Sequence, residues 1–265
     1  MNGFLNLLKP PDMSSAAAVG CAKRALHEKV GHAGTLDPQA AGILPLMVGR
    51  ASRLFDYLVE KQKTYIAEIA FGAATDTQDA QGKVIQTGGG APEEAALRAV
   101  LDARFTGDLM QVPPAFSAIK QDGRRLYDLA RQGKMVTAPA RPARIDKIDI
   151  LSRPAFDSYL LRVTCGRGVY IRTLCHDIGQ ALDAPAHMRF LLRAQTGVFS
   201  LDTAVTLEEL TAAAQNGQAE RLLLAMDYPL AHLPRADVPQ RLAKACDNEK
   251  PNQLFGHRRI RSCML

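Results

Sequence analysis

Between residues 31 and 45 the chain reads Gly-His-Ala-Gly-Thr-Leu-Asp-Pro-Gln-Ala-Ala-Gly-Ile-Leu-Pro, the stretch that most restricts how the whole can fold. Gly31, Gly34 and Gly42, with Pro38 and Pro45, interrupt any ordinary helix or strand, because glycine serves unusual backbone conformations and proline fixes φ and lacks an N–H. A shaped loop is the remaining option. Asp37 stands at its centre, and Pro38 biases it towards an extended backbone, which fixes where the carboxylate points. Locally Asp37 is open to two readings, a reactive carboxylate or a turn former and helix N-cap before Ala40 and Ala41.

The flanking sequence builds a frame for this loop. Residues 1 to 8 read as an apolar strand ending at Lys9-Pro10-Pro11. Ser14 or Ser15 then caps a helix running to about His27. Residues 43 to 48 read as strand or packed turn, and 51 to 58 as a short helix. Residues 63 to 72 alternate as a strand should, with Tyr65 on it. Thr75 to Gly82 is a polar turn whose Asp76 and Asp79 lack the further ligands of a calcium loop. Three consecutive glycines, Gly88 to Gly90, lead to an amphipathic helix over 92 to 105. Two strands are expected between Arg144 and Val163, and a helix over 206 to 214, with a capping box from Thr206 to Glu209.

Two segments carry charge with a purpose. From Gln111 to Lys134 the residues Lys120, Arg124, Arg125, Arg131 and Lys134 interleave with Phe116 and Tyr127, a mix that suits RNA, since phosphates reward cations and unstacked bases reward aromatic faces. A solvated helix face has the same composition. Further on, Gly166 and Gly168 precede Tyr170-Ile171-Arg172, whose Tyr and Arg share one face if the segment is extended. An arginine on a partly buried strand needs an anionic partner, and Asp37 is the candidate for a bidentate pair that would hold and aim it.

The 265 residues carry 47% hydrophobic content and a formal charge of +6, enough for a full core and permissive of a nucleic-acid partner. The five cysteines form no C-x-x-C pair and suit a reduced interior. No apolar run is long enough for a membrane span or a signal peptide, so the expected location is cytoplasmic. A P-loop, a dinucleotide fingerprint and a spaced Cys/His metal set are all missing, so no metal or cofactor is expected.

Taken together, the loop from Gly31 to Pro45, the Lys9-Pro10 turn before a serine-started helix, the Thr75-Asp76-Thr77-x-Asp79-x-x-Gly82 string and Tyr170-Ile171-Arg172 resemble the TruB family of tRNA pseudouridine synthases, in the family's order over roughly residues 7 to 230. The resemblance implies an α+β pseudouridine synthase fold, with a central mixed, mainly antiparallel sheet flanked by helices. Residues 1–230 would form the catalytic domain, with an RNA-binding thumb-like segment at about 111–140. Residues 231–265 would be a short, incomplete PUA-like tail.

The same resemblance assigns roles. Asp37 is implied as the nucleophile, Tyr65 as the residue that stacks on the target base and moves a proton, and Arg172 as the partner of Asp37. His32, Tyr170 and Leu191 would shape the flipped-base site, Arg53 and Lys120 would touch RNA, and Asp79 would orient the cationic side of the site. The implied substrate is uridine 55 in the TΨC arm of tRNA, bound by a monomer without guide RNA. Two departures stand out: Cys175-His176 replaces residues that are often more acidic, and Leu192 replaces a second arginine beside Arg193.

The chemistry fits one carboxylate. Pseudouridine formation breaks the bond from sugar to base, rotates the base and rejoins it through carbon, with nothing oxidised. The base must first be extruded, at a cost of a few kcal/mol. A non-catalytic tRNA binder would need only the basic segment, and a glycosidase would need a second carboxylate as general acid that nothing ties to Asp37.

Overall fold

Period-two alternation sets the faces of the sheet. In β1 (Gly3–Lys9) and β3 (Ala41–Val48), which pair antiparallel, Leu5, Leu7, Leu44, Leu46 and Val48 enter the main core, while Phe4, Ile43 and Met47 enter a second cluster on the opposite face with Phe199 and Leu230. Both faces are therefore covered at this end. The computed structural model describes residues 1–59, 62–114, 116, 120–121, 124–125 and 138–233.

The other strands are β2 (Val30–His32), β4 (Lys63–Phe71), β5 (Ala73–Thr75), β6 (Val84–Thr87), β7 (Gly107–Gln111), β8 (Lys120–Gln121), β9 (Arg124–Arg125), β10 (Arg141–Ala155), β11 (Ser158–Cys165), β12 (Ala186–Thr196) and β13 (Phe199–Ser200). Among the described residues, the large sheet runs β1-β3-β12-β4-β11-β10-β7, with β2 on β3 and β13 on β12. All its pairs are antiparallel except β3 with β12. The mixed, mainly antiparallel sheet expected from the sequence is the one found.

Helices α1 (Ser15–Leu26), α2 (Phe55–Val59), α3 (Glu94–Val100), α4 (Ile171–Ala181) and α5 (Leu207–Gln215) complete the frame. Ser14 caps α1, its Oγ accepting from Ala17 N at 3.1 Å, and His27 ends it in the left-handed region. Ser14→Ala is expected to lower stability by about 1 kcal/mol, read as a lower urea midpoint at unchanged slope. The capping box at Thr206 is present in full, with Glu209 N on Thr206 Oγ1 and Thr206 N on Glu209 Oε2.

Arg172 departs from expectation. It lies in the first turn of α4, with Tyr170 as N-cap, and not on a strand. Ile171, Leu174, Cys175 and Ile178 recur at i, i+3, i+4 and i+7 and are all buried. That helical period outweighs the β preference of Val169 and Ile171.

A register shift in β12 matters for the site. Met188 pairs with Ile69, but Phe190 pairs with Glu68, so one extra residue bulges and the facing is inverted from there to Arg193, where a second shift follows. Leu191 then meets Ala67 and Arg193 meets Tyr65 on the core face. Without the bulge Arg193 would point to the other side.

Candidate active site

The glycine-rich loop, β4 and the approach to α4 enclose a cleft of about 320 Å³, lined by Gly34, Thr35, Asp37, Tyr65, Tyr170 and Arg172 among others. Asp37 is the half-exposed carboxylate of the group, and Arg172 is almost fully buried behind it. Arg172 Nε lies 2.9 Å from Asp37 Oδ2 without an aligned hydrogen bond, so the contact is an ion pair. The expected bidentate fork is not formed. Nη1 instead faces Asp79 Oδ2 at 3.6 Å and donates to Thr77 O at 3.2 Å, while Nη2 donates to Phe116 O at 3.0 Å. Placing Arg172 on a helix turns its edge, rather than its fork, towards Asp37.

Asp79 is itself held. Its Oδ2 accepts from Gln39 Nε2 at 2.6 Å, and its Oδ1 from Thr77 Oγ1 at 2.6 Å and Gln81 N at 3.1 Å. Arg172 therefore bridges one free-faced carboxylate and one immobilised one. Tyr170 is fixed through its backbone, whose N–H donates to Gln111 Oε1 while Gln111 Nε2 donates to its carbonyl.

The loop has no regular hydrogen bonding from Gly34 to Pro38, yet each of its five successive carbonyls has a donor. Arg193 Nη2 reaches Gly34 O at 3.0 Å and Nη1 reaches Thr35 O at 3.4 Å. Ser15 Oγ donates to Leu36 O at 2.9 Å and accepts from Leu36 N. Ala40 N takes Asp37 O at 3.1 Å, and Lys9 Nζ takes Pro38 O at 3.1 Å. Asp37 is aimed by this scaffold as much as by Arg172.

Comparison with known proteins gives the same frame a lineage. The model of the TruB family pseudouridylate synthase N-terminal domain matches residues 23–171, and that of the tRNA pseudouridylate synthase B C-terminal domain matches 172–231. The chain belongs to the TruB family. A tRNA pseudouridine synthase B from Alkaliphilus oremlandii is 43% identical over 92% of this chain and 80% of its own length. The one from Heliobacterium modesticaldum is 44% identical over 90% and 78%. Among solved structures, a Cbf5-Nop10-Gar1 complex aligns with TM-score 0.73 and 28% identity over 94% of this chain and 68% of its own.

Within this TruB cleft the sequence-derived residues divide. Asp37, Tyr65, Tyr170 and Arg172 line it, and Asp79 stands behind. His32, Arg53 and Leu191 are not among the described lining residues. His32 ends β2, with Nδ1 accepting from Gly34 N at 3.3 Å, and burial and then Arg193 depress its pKa. Arg53 is exposed on the 3₁₀ turn Gly49–Leu54, and Leu191 packs in the main core. The side chain of Lys120, most of the thumb-like segment and residues 234–265 of the tail lie outside the described residues.

Among the TruB cleft and loop residues that escaped the sequence reading are Lys9, Phe55, Lys63 and Arg193. Lys63 precedes Tyr65 by two on β4, so the strand period alone could have placed it on the same face. Phe55 begins α2 at the cleft wall and remains 42% exposed. Burial pushes the Tyr65 hydroxyl pKa upward, and the charge of Arg193 opposes this.

Lys9 is fully buried, and Nζ also donates to Pro10 O at 2.7 Å and Met13 O at 2.6 Å. Burial, against the pull of Asp12, lowers its pKa from 10.5 to about 8. From about pH 8 to 10.5 the unfolded chain thus holds a proton that the folded chain has released, so this group's contribution to stability rises with pH across that window. Below pH 8 a burial penalty of about 3 kcal/mol is present in full. Lys9→Met removes the titration. The stability of the parental protein relative to Lys9→Met is therefore expected to grow by about 3 kcal/mol between neutral pH and the top of that window, and parallel urea-derived curves would refute it.

Proposed function

We propose that this protein converts uridine to pseudouridine at position 55 in the TΨC arm of tRNA, with Asp37 as the nucleophile. The observation that carries the reading is a half-exposed carboxylate, held by a pinned loop and paired with a buried arginine, opening into a cleft walled by Tyr65 and Tyr170. Relatives named tRNA pseudouridine synthase B support the substrate class. A neighbour described as an H/ACA RNP bound to a substrate RNA containing 2'-deoxyuridine, with TM-score 0.70 and 26% identity over 93% of this chain and 67% of its own, supports a uridine-like nucleotide in the cleft.

In the proposed reaction the target nucleotide flips out of the arm and its base enters the cleft between Tyr65 and Tyr170. His32 and Leu191 back the site, and Arg53 and Lys120 hold phosphates. Asp37 forms a covalent bond to the nucleotide, the N1–C1' bond breaks, the uracil turns, C5 bonds to C1', and the bond to Asp37 breaks again to free the carboxylate. The C5 proton then leaves with the help of Tyr65 and N1 gains one, so the reaction is balanced without a cofactor. Arg172 holds Asp37 throughout, and Asp79 holds Arg172. Recognition is proposed to rest on the chain's own basic segment from Lys120 to Lys134, with no guide RNA, and on a monomer. Residues 1–230 are read as the catalytic domain and 231–265 as a separate tail, a boundary that falls at the end of the C-terminal family match.

The test uses a tRNA transcript tritiated at uracil C5. Tritium release mapped to uridine 55 is the expected result. Binding of the transcript without release, or release at another uridine, would overturn the assignment.

A further inference from the structure

We propose that Arg193 is a positioning residue for the reaction, a buried cation that fixes the nucleophile loop and Tyr65 relative to one another from beneath the cleft. The inference rests on the pseudouridine synthase reading and extends it to a residue outside the assigned set. Arg193 is 1% exposed and the largest fully buried side chain among the described residues. Its charge is met by carbonyl dipoles alone among its described hydrogen-bond acceptors on the loop and β3: Gly34 O, Thr35 O and, through Nε at 2.8 Å, Ile43 O. A buried cation without a carboxylate partner is an expensive way to fill space, and an apolar side chain would fill it at lower cost. What the cation does that an apolar side chain cannot is grip the loop on both sides of Asp37.

The backbone of Arg193 makes the second link. It is the register partner of Tyr65 on β4 and of Gly42 on β3, where the only parallel pairing of the sheet's described strands occurs. Gly42 is at φ +119°, and a Cβ there would come within 2.3 Å of Arg193 O, so the two strands approach as closely as backbone allows. One residue thus touches the loop before Asp37, the strand after it and the tyrosine across the cleft.

The same arrangement brings the Arg193 charge to bear on the Tyr65 hydroxyl. Both residues line the cleft, and the charge of Arg193 opposes the upward shift that burial gives the Tyr65 hydroxyl. Arg193 thereby ties the strand that carries Tyr65 to the loop that carries Asp37.

Arg193→Ala and Arg193→Lys test this by two measurements. The first is amide exchange in the RNA-free proteins. In Arg193→Ala the Leu36 and Ala40 amides, bonded to Ser15 Oγ and Asp37 O, are expected to exchange at least about tenfold faster, with Ile69 and Val163 in the sheet unchanged. The second is the single-turnover rate at saturating tRNA. A loss of about 100-fold is expected, with tRNA affinity retained and partial recovery on adding guanidinium ion but not sodium chloride at equal ionic strength. Arg193→Lys keeps a charge with fewer donors and is expected to lose only about tenfold.

Unchanged exchange in the loop, faster exchange throughout the sheet, or a parental rate would each overturn the proposal. Should Arg193→Ala fail to fold, Arg193→Lys carries both readings, with no change in either overturning it. A parental protein that releases no tritium would overturn the reading of the reaction instead, and the exchange at Leu36 and Ala40 would still decide whether Arg193 fixes the loop.

Discussion

Asp37→Asn is expected to leave a folded protein that binds tRNA and forms no pseudouridine. The amide matches the carboxylate in shape, so the loop carbonyls keep their donors: Arg193, Ser15, Ala40 N and Lys9 all bond backbone, not the Asp37 side chain. Arg172 loses one charged partner but keeps Asp79, Thr77 O and Phe116 O. The cost in stability is therefore expected to stay within about 2 kcal/mol. The rate behaves differently under the proposed mechanism, because a neutral amide cannot serve as the covalent partner. A fall of at least about 10⁴-fold is the scale for losing a nucleophile. Single-turnover tritium release beside a filter-binding titration checks both halves, and a rate within tenfold of the parental protein would remove Asp37 from the mechanism.

Arg172→Met is expected to damage stability and rate together. Methionine fills much of the space but strands Asp79, which is 4% exposed, beside a removed cation. Breaking a buried ion pair from one side costs about 3–5 kcal/mol. Asp37, released from its 2.9 Å contact, samples orientations that miss the sugar or base, for a further loss of about 100-fold in rate. Combining Arg172→Met with Asp79→Asn separates the two effects. Removing the stranded charge is expected to restore at least about 1 kcal/mol by urea denaturation, with no recovery of rate. Equal recovery of both would mean that Arg172 acts only through the fold.

The sheet and most helices were legible because their signals are local. Tyr65 to Phe71 alternates, and Ser14 and Thr206 are capping residues in front of apolar helical periods; the irregular loop expected over Gly31 to Pro45 narrows to residues 33–40, since Gly31 and His32 pair in β2 and Ala41 to Pro45 in β3. The need of Arg172 for an anion could be read from its apolar surroundings. Its helical position could not be read from Tyr170-Ile171-Arg172 alone, since three residues fit either period; Leu174, Cys175 and Ile178 decide it. Arg193 and Lys9 were harder still. A cation is buried only if carbonyls converge on it, and those of Gly34, Thr35, Ile43 and Pro38 come from distant sequence. The bulge before Leu191 also inverts the facing of Arg193, and no local pattern announces a single extra residue.

The carbonyl grip on the loop has a consequence in time. The donor for Gly34 O lies 159 residues later in the chain, an interval of roughly ten to thirty seconds of synthesis. Until β12 has left the ribosome, the nascent chain carries Asp37 on a segment whose first two carbonyls have no guanidinium to meet. Catalytic competence therefore arrives late, with the closing of the parallel β3–β12 pair. A chain released before β12 is expected to be inert towards tRNA, although it already contains Asp37, Tyr65 and Arg172.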